Sequence, residues 1–236
     1  MAGLLTVLAD LGVSDPAGRA TVQGAVVDNL LERRTRGRRS YFTLTENGRA
    51  MVADWTERIL VSPLTKEWDG TWTLLSFSLP ESWRHKRHRL QVRLVGNGFG
   101  RLRQGLWIAP GPRSVDGVID ELGVHEHVEV FLARTHDQTD AGALVSRAWN
   151  LASLAEGYRD FVERWHGMAD EGLANDLVRE LLLLTEWRLL ITNEPRLPAV
   201  SLPDDWPANS AHVLFLRRYA EYRPAAEKIF EQALFV

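Results

Sequence analysis

The sequence of 236 residues contains no cysteine. This absence excludes disulfide bonds and every metal site that needs thiolate ligands. It also fits a reducing compartment, and we therefore expect a cytoplasmic protein. The longest apolar stretch, LVRELLLLTEWRLLI, is interrupted by charged residues, so we predict that no segment spans a membrane.

Motifs of catalysis and nucleotide binding are also missing. The closely spaced glycines of GNGFGRLRQG lead into a strand and not onto a helix N-terminus, which excludes a phosphate-binding loop. No nucleophile elbow or Ser-His-Asp arrangement can be assigned. Two histidine pairs, His85 with His88 and His125 with His127, have the spacing of metal ligands but no third ligand. We interpret them as surface histidines, and we predict no enzymatic activity, no cofactor and no metal.

Positive charge is concentrated in one short segment. The chain as a whole has a formal net charge of −3, so any attraction to nucleic acid must be local. RRTRGRR, residues 33–39, places five arginines in seven positions. Taken alone, this pattern fits a solvated hairpin tip as well as it fits a contact with phosphate groups.

The elements around these arginines favour the second interpretation. The sequence predicts a short helix at residues 3–12. It also predicts a second helix that has Ser14 as its N-cap and runs to about Glu32. RTRGRRSYFTLT predicts two short strands that turn at Gly37, and Thr45 predicts the cap of a further helix. A hairpin between two helices is typical of a winged helix-turn-helix, whose preceding helix enters the major groove.

In that arrangement both the second helix and the hairpin would contact DNA. We predict that Arg19, Thr21 and Gln23 touch the major groove, where arginine pairs with guanine or phosphate and glutamine reads adenine. The predicted contacts from the hairpin are Arg33, Arg34, Arg36, Arg38, Arg39 and Ser40.

The pattern changes after the third helix. TWTLLSFSLP predicts a buried strand, ESWRHKRHRLQVRLVGN a basic helix, GRLRQGLWIAP a strand or hairpin, RSVDGVIDELGV a helix and HVEVFLART a strand. This order predicts a ferredoxin-like α/β sandwich. Three helical stretches follow, with the proline-rich loop EPRLPAVSLPDDWP between the last two. We therefore predict an α+β protein with a winged helix-turn-helix domain at 1–62, a ferredoxin-like domain at 66–138 and an all-α domain at 143–236.

Four motifs, in this order, resemble the PaaX family of repressors of phenylacetic acid degradation operons: RRSYFTLTENGRAMV, WDGTWTLLSFSLPESWRHKRHRLQVRL, GFGRLRQGLWIAP and EWRLLITNEPRLPAVSLPDDWP. The resemblance implies the same three domains, the central one being similar to Cas2 nucleases. It also implies a homodimer on palindromic operator DNA, released by a coenzyme A thioester of an aromatic acid. The first strand of the central domain ends SFSLP without a carboxylate, so we do not expect nuclease activity.

Two features depart from the family pattern. The family usually has a VRTALSRL-like run after GVS, whereas this chain has GRATVQGA with Gly18 and Gly24. A glycine inside a helix costs about 0.5–1 kcal/mol relative to alanine. The family also usually has one more helix ahead of the segment that begins here at Met1, and without it the leucines of residues 3–12 lack their usual cover. Either the start of the sequence was assigned late, or this member has a reduced DNA-binding domain. Both departures favour an alternative function, a ligand-binding or protein-interaction module that has lost DNA binding.

The implied thioester effector needs cations for its phosphates and an apolar site for its acyl group. We predict that Arg84 and Arg87, on the basic helix, hold the phosphates. Trp107 and Trp187 would border the acyl site. The alternative is that the charges of this helix form an ordinary solvated face.

Overall fold

The computed structural model describes residues 2–37, 39–61, 63–64, 68–167, 175–192 and 194–234. In this part of the chain the helices are α1 (Ala2–Asp10), α2 (Asp15–Val27), α3 (Glu46–Leu60), α4 (Arg84–Gly96), α5 (Asp116–Leu122), α6 (Ala141–Ala148), α7 (Leu151–Gly167), α8 (Asp176–Thr192) and α9 (Ala208–Leu234). The strands are β1 (Leu31–Arg36), β2 (Arg39–Leu44), β3 (Thr71–Phe77), β4 (Gly100–Arg103), β5 (Leu106–Pro110) and β6 (Val128–Arg134). The fold is therefore a mixture of helix and sheet, as predicted.

The chain divides into two compact units, each made of separate segments. Unit 1 comprises Met1–Val61, Arg164–Arg188 and Val213–Val236. Unit 2 comprises Ser62–Glu163 and Leu189–His212. The three sequential domains predicted above follow the order of the sequence and not these units, and they stay a prediction.

Unit 1 begins with α1 packed closely on α2. Gly18 is buried in α2, and a Cβ there would lie 2.9 Å from Leu5 Cδ2 and 3.2 Å from Leu8 Cδ1. The second helix begins after Ser14, as predicted, but its predicted end near Glu32 is wrong. It ends at Val27 because the chain reverses direction two residues later, where Asn29 has a φ of +54°. Asparagine adopts this left-handed backbone more readily than most residues do.

The predicted hairpin and helix cap are confirmed. β1 and β2 pair in antiparallel fashion, and Gly37 turns the chain with a φ of +62°. The hydroxyl oxygen Oγ1 of Thr45 accepts a hydrogen bond from the Gly48 N–H at 2.9 Å and donates one to the Asn29 carbonyl at 2.6 Å. A Cβ at Gly48 would overlap the carbonyl oxygen of Leu30, so α3 can begin this close to the hairpin only with glycine at this position.

Helices from the end of the chain complete unit 1. Val7 of α1 is buried in one cluster with Leu177 of α8 and Ala226 of α9. The ring of Trp187 stacks on Phe215 at a centroid distance of 4.8 Å and an interplanar angle of 11°. The core of this unit therefore joins residues that lie more than half the chain apart.

Unit 2 is built on a four-stranded antiparallel sheet in the order β4-β5-β3-β6. Along the chain its first part reads β-α-β-β-α-β, so the stretch GRLRQGLWIAP is a hairpin and not a single strand. One apolar core contains Leu75 and Trp107 of the sheet with Leu90 of α4 and Ile119 of α5. This arrangement packs the apolar side of the basic helix α4 against the sheet. Arg84, Arg89 and Arg93 stay exposed, whereas Lys86 and Arg87 are half-buried.

A second apolar cluster involves the helix pair that follows the sheet. The first of the three predicted helical stretches consists of two helices, α6 and α7, separated at Trp149 and Asn150. The first helix ends at Ala148. Asn150 caps the second, since its Oδ1 accepts from the Ser153 N–H at 3.2 Å. The ring of Trp149 stacks on Trp72 of β3 at 6.5 Å. Among the described residues, no helix is long and apolar enough to cross a membrane.

Candidate nucleic-acid interface

The hairpin distributes its arginines over two faces. In its register Arg33 lies opposite Phe42 and Arg34 lies opposite Tyr41. Successive residues of a strand point to opposite faces, and residues opposite each other share a face. Arg34 and Tyr41 therefore lie on one face, and Arg33 and Phe42 lie on the other. Arg33 and Arg34 therefore do not share one face of the hairpin.

The two faces differ in how firmly their arginines are held. The guanidinium group of Arg33 donates to Ser40 Oγ from Nε at 3.1 Å and from Nη2 at 2.9 Å. Arg34 forms an ion pair with Glu32 at 3.0 Å, and its side chain is 68% exposed. Hydrogen bonding to Glu32 raises the pKa of Arg34. An exposed ion pair of this kind contributes little to stability, so Arg34 can exchange Glu32 for another anion.

The exposed ring of Tyr41 was not among the contacts predicted from the sequence. It is 48% exposed and shares its face with Arg34. The alternation of a strand was the signal that could have found it. Of the remaining predicted contacts, Arg36 and Arg39 pair with each other through their backbones at the end of the hairpin, and Arg38 lies outside the described residues.

The helix α2 brings together two of its three predicted contacts. Arg19 and Gln23 are exposed and four residues apart, which places them on one stripe of the helix. Thr21 is two residues from each of them and therefore lies off this stripe. Arg19 Nε is 2.8 Å from Asp15 Oδ2, and Thr21 Oγ1 donates to the Ala17 carbonyl at 3.0 Å. These partners belong to the same helix, so Arg19 and Thr21 stay on its surface.

The two arginines predicted to bind phosphates lie one turn apart on α4 and share Glu81. Arg84 Nε is 3.9 Å from Glu81 Oε1, and the Arg84 side chain is 85% exposed. Arg87 is 30% exposed; its Nη1 lies 3.1 Å from Glu81 Oε2 and its Nη2 donates to the Leu79 carbonyl at 2.8 Å. Arg87 is thus partly used to close the turn before α4, whereas Arg84 is open to solvent.

The two tryptophans predicted to border the acyl site belong to different units. Trp107 of β5 is 4% exposed and lies in the core of unit 2. Trp187 of α8 is fully buried in unit 1, where its Nε1 donates to the Ile59 carbonyl at 3.1 Å. Both rings are packed against other side chains of the protein. Their role beside an acyl group stays a prediction.

Unit 2 also holds a buried acid that the sequence did not reveal. Glu194 is only 9% exposed, and the hydroxyl of Tyr158 donates to its Oε2. Burial raises the pKa of Glu194 to about 7. Burial and the nearby Glu194 also raise the pKa of Tyr158. The two residues are 36 positions apart on α7 and in the loop after α8, and no local pattern connects them.

Comparison with known proteins places most of the chain after residue 64 in one family. Residues 65–145 match the PaaX protein central Cas2-like domain, and residues 149–232 match the PaaX-like protein C-terminal domain. The transcriptional repressor PaaX of Escherichia coli (strain K12) is 28% identical over 204 residues, which are 80% of this chain and 63% of that protein. This chain therefore spans less than two thirds of the length of that relative.

A solved structure extends the comparison to nearly the whole chain. The uncharacterized protein Rv0674 from Mycobacterium tuberculosis aligns with a TM-score of 0.66 at 22% identity, covering 98% of this chain and 89% of that chain. At this identity the likeness concerns the fold alone. The two domain matches together cover more than half of the sequence, and the chain belongs to the PaaX family.

Proposed function

We propose that this protein is a transcriptional repressor of the PaaX type, which acts in the cytoplasm as a homodimer on operator DNA. An aromatic acyl-CoA, or a related aromatic acid, would release it from the operator. Family membership supports this proposal, since the relative from Escherichia coli carries the name of a transcriptional repressor. The chain would act without catalysis, through binding alone.

The observation that carries the proposal is the order of elements in residues 2–60. The exposed helix α2 comes directly before the β1–β2 hairpin, and α3 follows it. This is the order of a winged helix-turn-helix, with the hairpin as its wing. The face that carries Arg34 and Tyr41 would lie along the phosphate backbone, because guanidinium groups match phosphate oxygens in geometry and charge. Arg19 and Gln23 would approach base edges in the major groove.

A double substitution in the wing tests this assignment. We expect Arg36→Ala with Arg38→Ala to weaken binding to operator DNA and to random DNA alike, because interactions with phosphates carry no sequence information. The slope of log affinity against log salt should become shallower by about two, roughly one for each arginine that no longer neutralises a phosphate. Fluorescence anisotropy at several salt concentrations measures both quantities.

Arg103→Ala with Arg147→Ala is a matched control, since it also removes two exposed arginines but outside the hairpin. It should leave the affinity and the salt slope unchanged. A loss confined to the operator, with the original salt slope, would contradict the phosphate assignment.

The effector is tested separately. A ligand present at a hundred times its dissociation constant stabilises the folded protein by about 2.7 kcal/mol, so phenylacetyl-CoA should raise the melting temperature. If Arg84 and Arg87 hold its phosphates, Arg84→Ala with Arg87→Ala should reduce this shift. An equal rise in melting temperature for the variant would mean that the thioester is still the effector but that Arg84 and Arg87 do not bind its phosphates.

A second candidate function is a ligand-binding module that no longer binds DNA. The pairing of Arg19 with Asp15, and of Thr21 with its own helix, favours this alternative, because neither side chain is free of a partner. Binding to random DNA at low salt separates the two functions, since nonspecific binding is strongest there. A protein that binds an acyl-CoA but shows no affinity for DNA at low salt would be the module and not the repressor.

A further inference from the structure

The two outer strands of the unit 2 sheet, β4 and β6, differ in how their free edges are protected. β4 has only four residues, and its pairing is irregular between the exposed arginines Arg101 and Arg103. Helix α6 packs closely beside it, since a Cβ at Gly100 would lie 2.7 Å from the Ala148 carbonyl oxygen. Short length, charge, irregular pairing and a covering helix are the usual protection against pairing with another strand.

β6 lacks these devices in the part of the chain that the structure describes. It has seven residues, VEVFLAR, without proline or lysine, and it pairs with β3 in a regular register. Val130, Phe131 and Leu132 are 41%, 54% and 65% exposed. Successive residues of a strand point to opposite faces, so β6 exposes apolar side chains on both of its faces. A long apolar edge of this kind is where another strand can add to a sheet.

The pairing with β3 determines which backbone groups of β6 point outward. The Ser78 N–H donates to the His127 carbonyl at 3.0 Å, which marks these two residues as a hydrogen-bonded pair. Such pairs alternate along an antiparallel ladder, so the odd-numbered positions from 127 to 133 bond to β3. The N–H and carbonyl groups at the even-numbered positions from 128 to 134 therefore point to the open edge.

The sequence of β6 is complementary to itself when two copies pair about a twofold axis. Such an axis makes the two strands antiparallel and places one residue opposite its own counterpart. With Phe131 at the axis, Val130 lies opposite Leu132 of the partner subunit, so each exposed apolar residue meets an apolar one. With Leu132 at the axis, Val130 would lie opposite Arg134, and with Val130 there, Phe131 would lie opposite Glu129. Apolar cross-strand pairs favour the first register.

We propose that β6 is the interface of a homodimer, in which it pairs with β6 of a second copy about an axis at Phe131. The outward groups of Val130 and Leu132 then form hydrogen-bonded pairs across the axis. Pairing occupies the open edge of both copies, and β4 is protected at each outer end, so association stops at the dimer. This interface rests on the homodimer of the proposed function, to which it adds a location and a register.

Single cysteines test the register, because the chain contains no cysteine of its own. Residues at the axis form a pair without hydrogen bonds, with Cα atoms about 4.5 Å apart, which a disulfide can bridge. Phe131→Cys should therefore give a disulfide-linked dimer on mild oxidation, seen by non-reducing gel electrophoresis. Val130→Cys and Leu132→Cys are matched controls on the same strand. Strand rise and spacing place each of them about 8 Å from its counterpart, which is too far for a disulfide.

A charge at the axis tests the strength of the interface. Phe131→Lys should raise the dissociation constant of the dimer at least about tenfold, because it removes an apolar pair and places two like charges opposite each other. Val92→Lys changes an exposed valine of α4 in the same unit and should leave the dissociation constant unchanged. Sedimentation equilibrium measures both variants, and circular dichroism checks that each keeps the fold of the wild type.

Amide hydrogen exchange measured by NMR gives an independent readout. In the wild-type dimer the amides of Val130 and Leu132 should be protected by the partner, and Phe131→Lys should remove this protection. The amides of Glu129 and Ala133 bond to β3 and should stay protected in both proteins. Fast exchange of Val130 and Leu132 in a dimeric wild type would contradict edge pairing.

The outcomes separate this interface from the proposed function. Equal cross-linking of the three cysteine variants, or none in a dimeric protein, would overturn the interface and leave the proposed repressor standing. A wild type that stays monomeric would refute both the interface and the homodimer. Cross-linking confined to Phe131→Cys, combined with no affinity for DNA at low salt, would support the interface and refute the proposed function.

Discussion

Replacing Glu194 by glutamine should stabilise the protein relative to the wild type at pH 8 but hardly at pH 5. In the folded protein burial raises the pKa of Glu194 from 4.5 to about 7. The folded state therefore holds this proton more tightly than the unfolded chain does. Its contribution to the free energy of unfolding is complete below pH 4.5 and is lost as the pH rises to about 7.

The magnitude follows from the same two values. A change in pKa from 4.5 to about 7 corresponds to about 3 kcal/mol, of which about 2 to 3 kcal/mol falls between pH 5 and pH 8. Glutamine is neutral throughout this range, and its carbonyl oxygen can still accept the hydrogen bond from Tyr158. The variant should therefore differ little from the wild type at pH 5 and gain about 2 to 3 kcal/mol over it at pH 8.

Urea denaturation at both pH values measures these free energies. Glu126→Gln, which neutralises an exposed glutamate of the same unit, is the control and should show no such change between pH 5 and pH 8. If Glu194→Gln differs from the wild type by the same amount at both pH values, Glu194 does not titrate between them, and its burial does not raise its pKa into this range.

Four further predictions concern the fold. Gly24→Ala should raise the free energy of unfolding by about 0.5–1 kcal/mol, because nothing lies within 4 Å of a Cβ at this helical position. Gly48→Ala should lower the free energy of unfolding by about 1–3 kcal/mol, since the added methyl group meets a backbone carbonyl. Urea denaturation measures both variants, and equal effects on stability would argue against the surroundings assigned to the two glycines. Thr45→Ala should lose the cap of α3 at a cost of about 1–2 kcal/mol, seen as a lower urea midpoint. Limited proteolysis should cut first near 61–67 or 136–143, where the apolar periodicity lapses, and an initial cut inside the central sheet would contradict the three-domain division.

Local signals in the sequence were sufficient to predict most of the elements. Thr45 and Gly37 were assigned correctly because a cap and a tight turn depend on a few neighbouring residues. The alternation of apolar residues likewise predicted the strands of unit 2. The end of α2 was missed because apolar residues at Leu30 and Leu31 continue its pattern, whereas the left-handed backbone at Asn29 ends the helix earlier.

Interactions between distant segments could not be predicted in this way. The cluster of Val7 with Leu177 and Ala226 joins the first helix to two helices near the other end of the chain. The pair of Tyr158 and Glu194 joins a helix to a loop, and a single glutamate before proline carries no signal of burial. A sequence pattern reports which face of an element is apolar, but not which other element covers it.

These distant interactions change how the two candidate functions compare. The alternative of a module without DNA binding rested on the glycines of α2 and on leucines of α1 that lack their usual cover. Gly18 is the position at which Leu5 and Leu8 approach α2 closely, so this glycine and these leucines support each other. Val7 finds its cover on α8 and α9, within the same unit. Only Gly24 remains as a local weakness of the helix, at a cost of about 0.5–1 kcal/mol, which is too small to unfold a domain of ordinary stability. The glycines and leucines therefore no longer favour the module over the proposed repressor, and the salt dependence of DNA binding decides between the two.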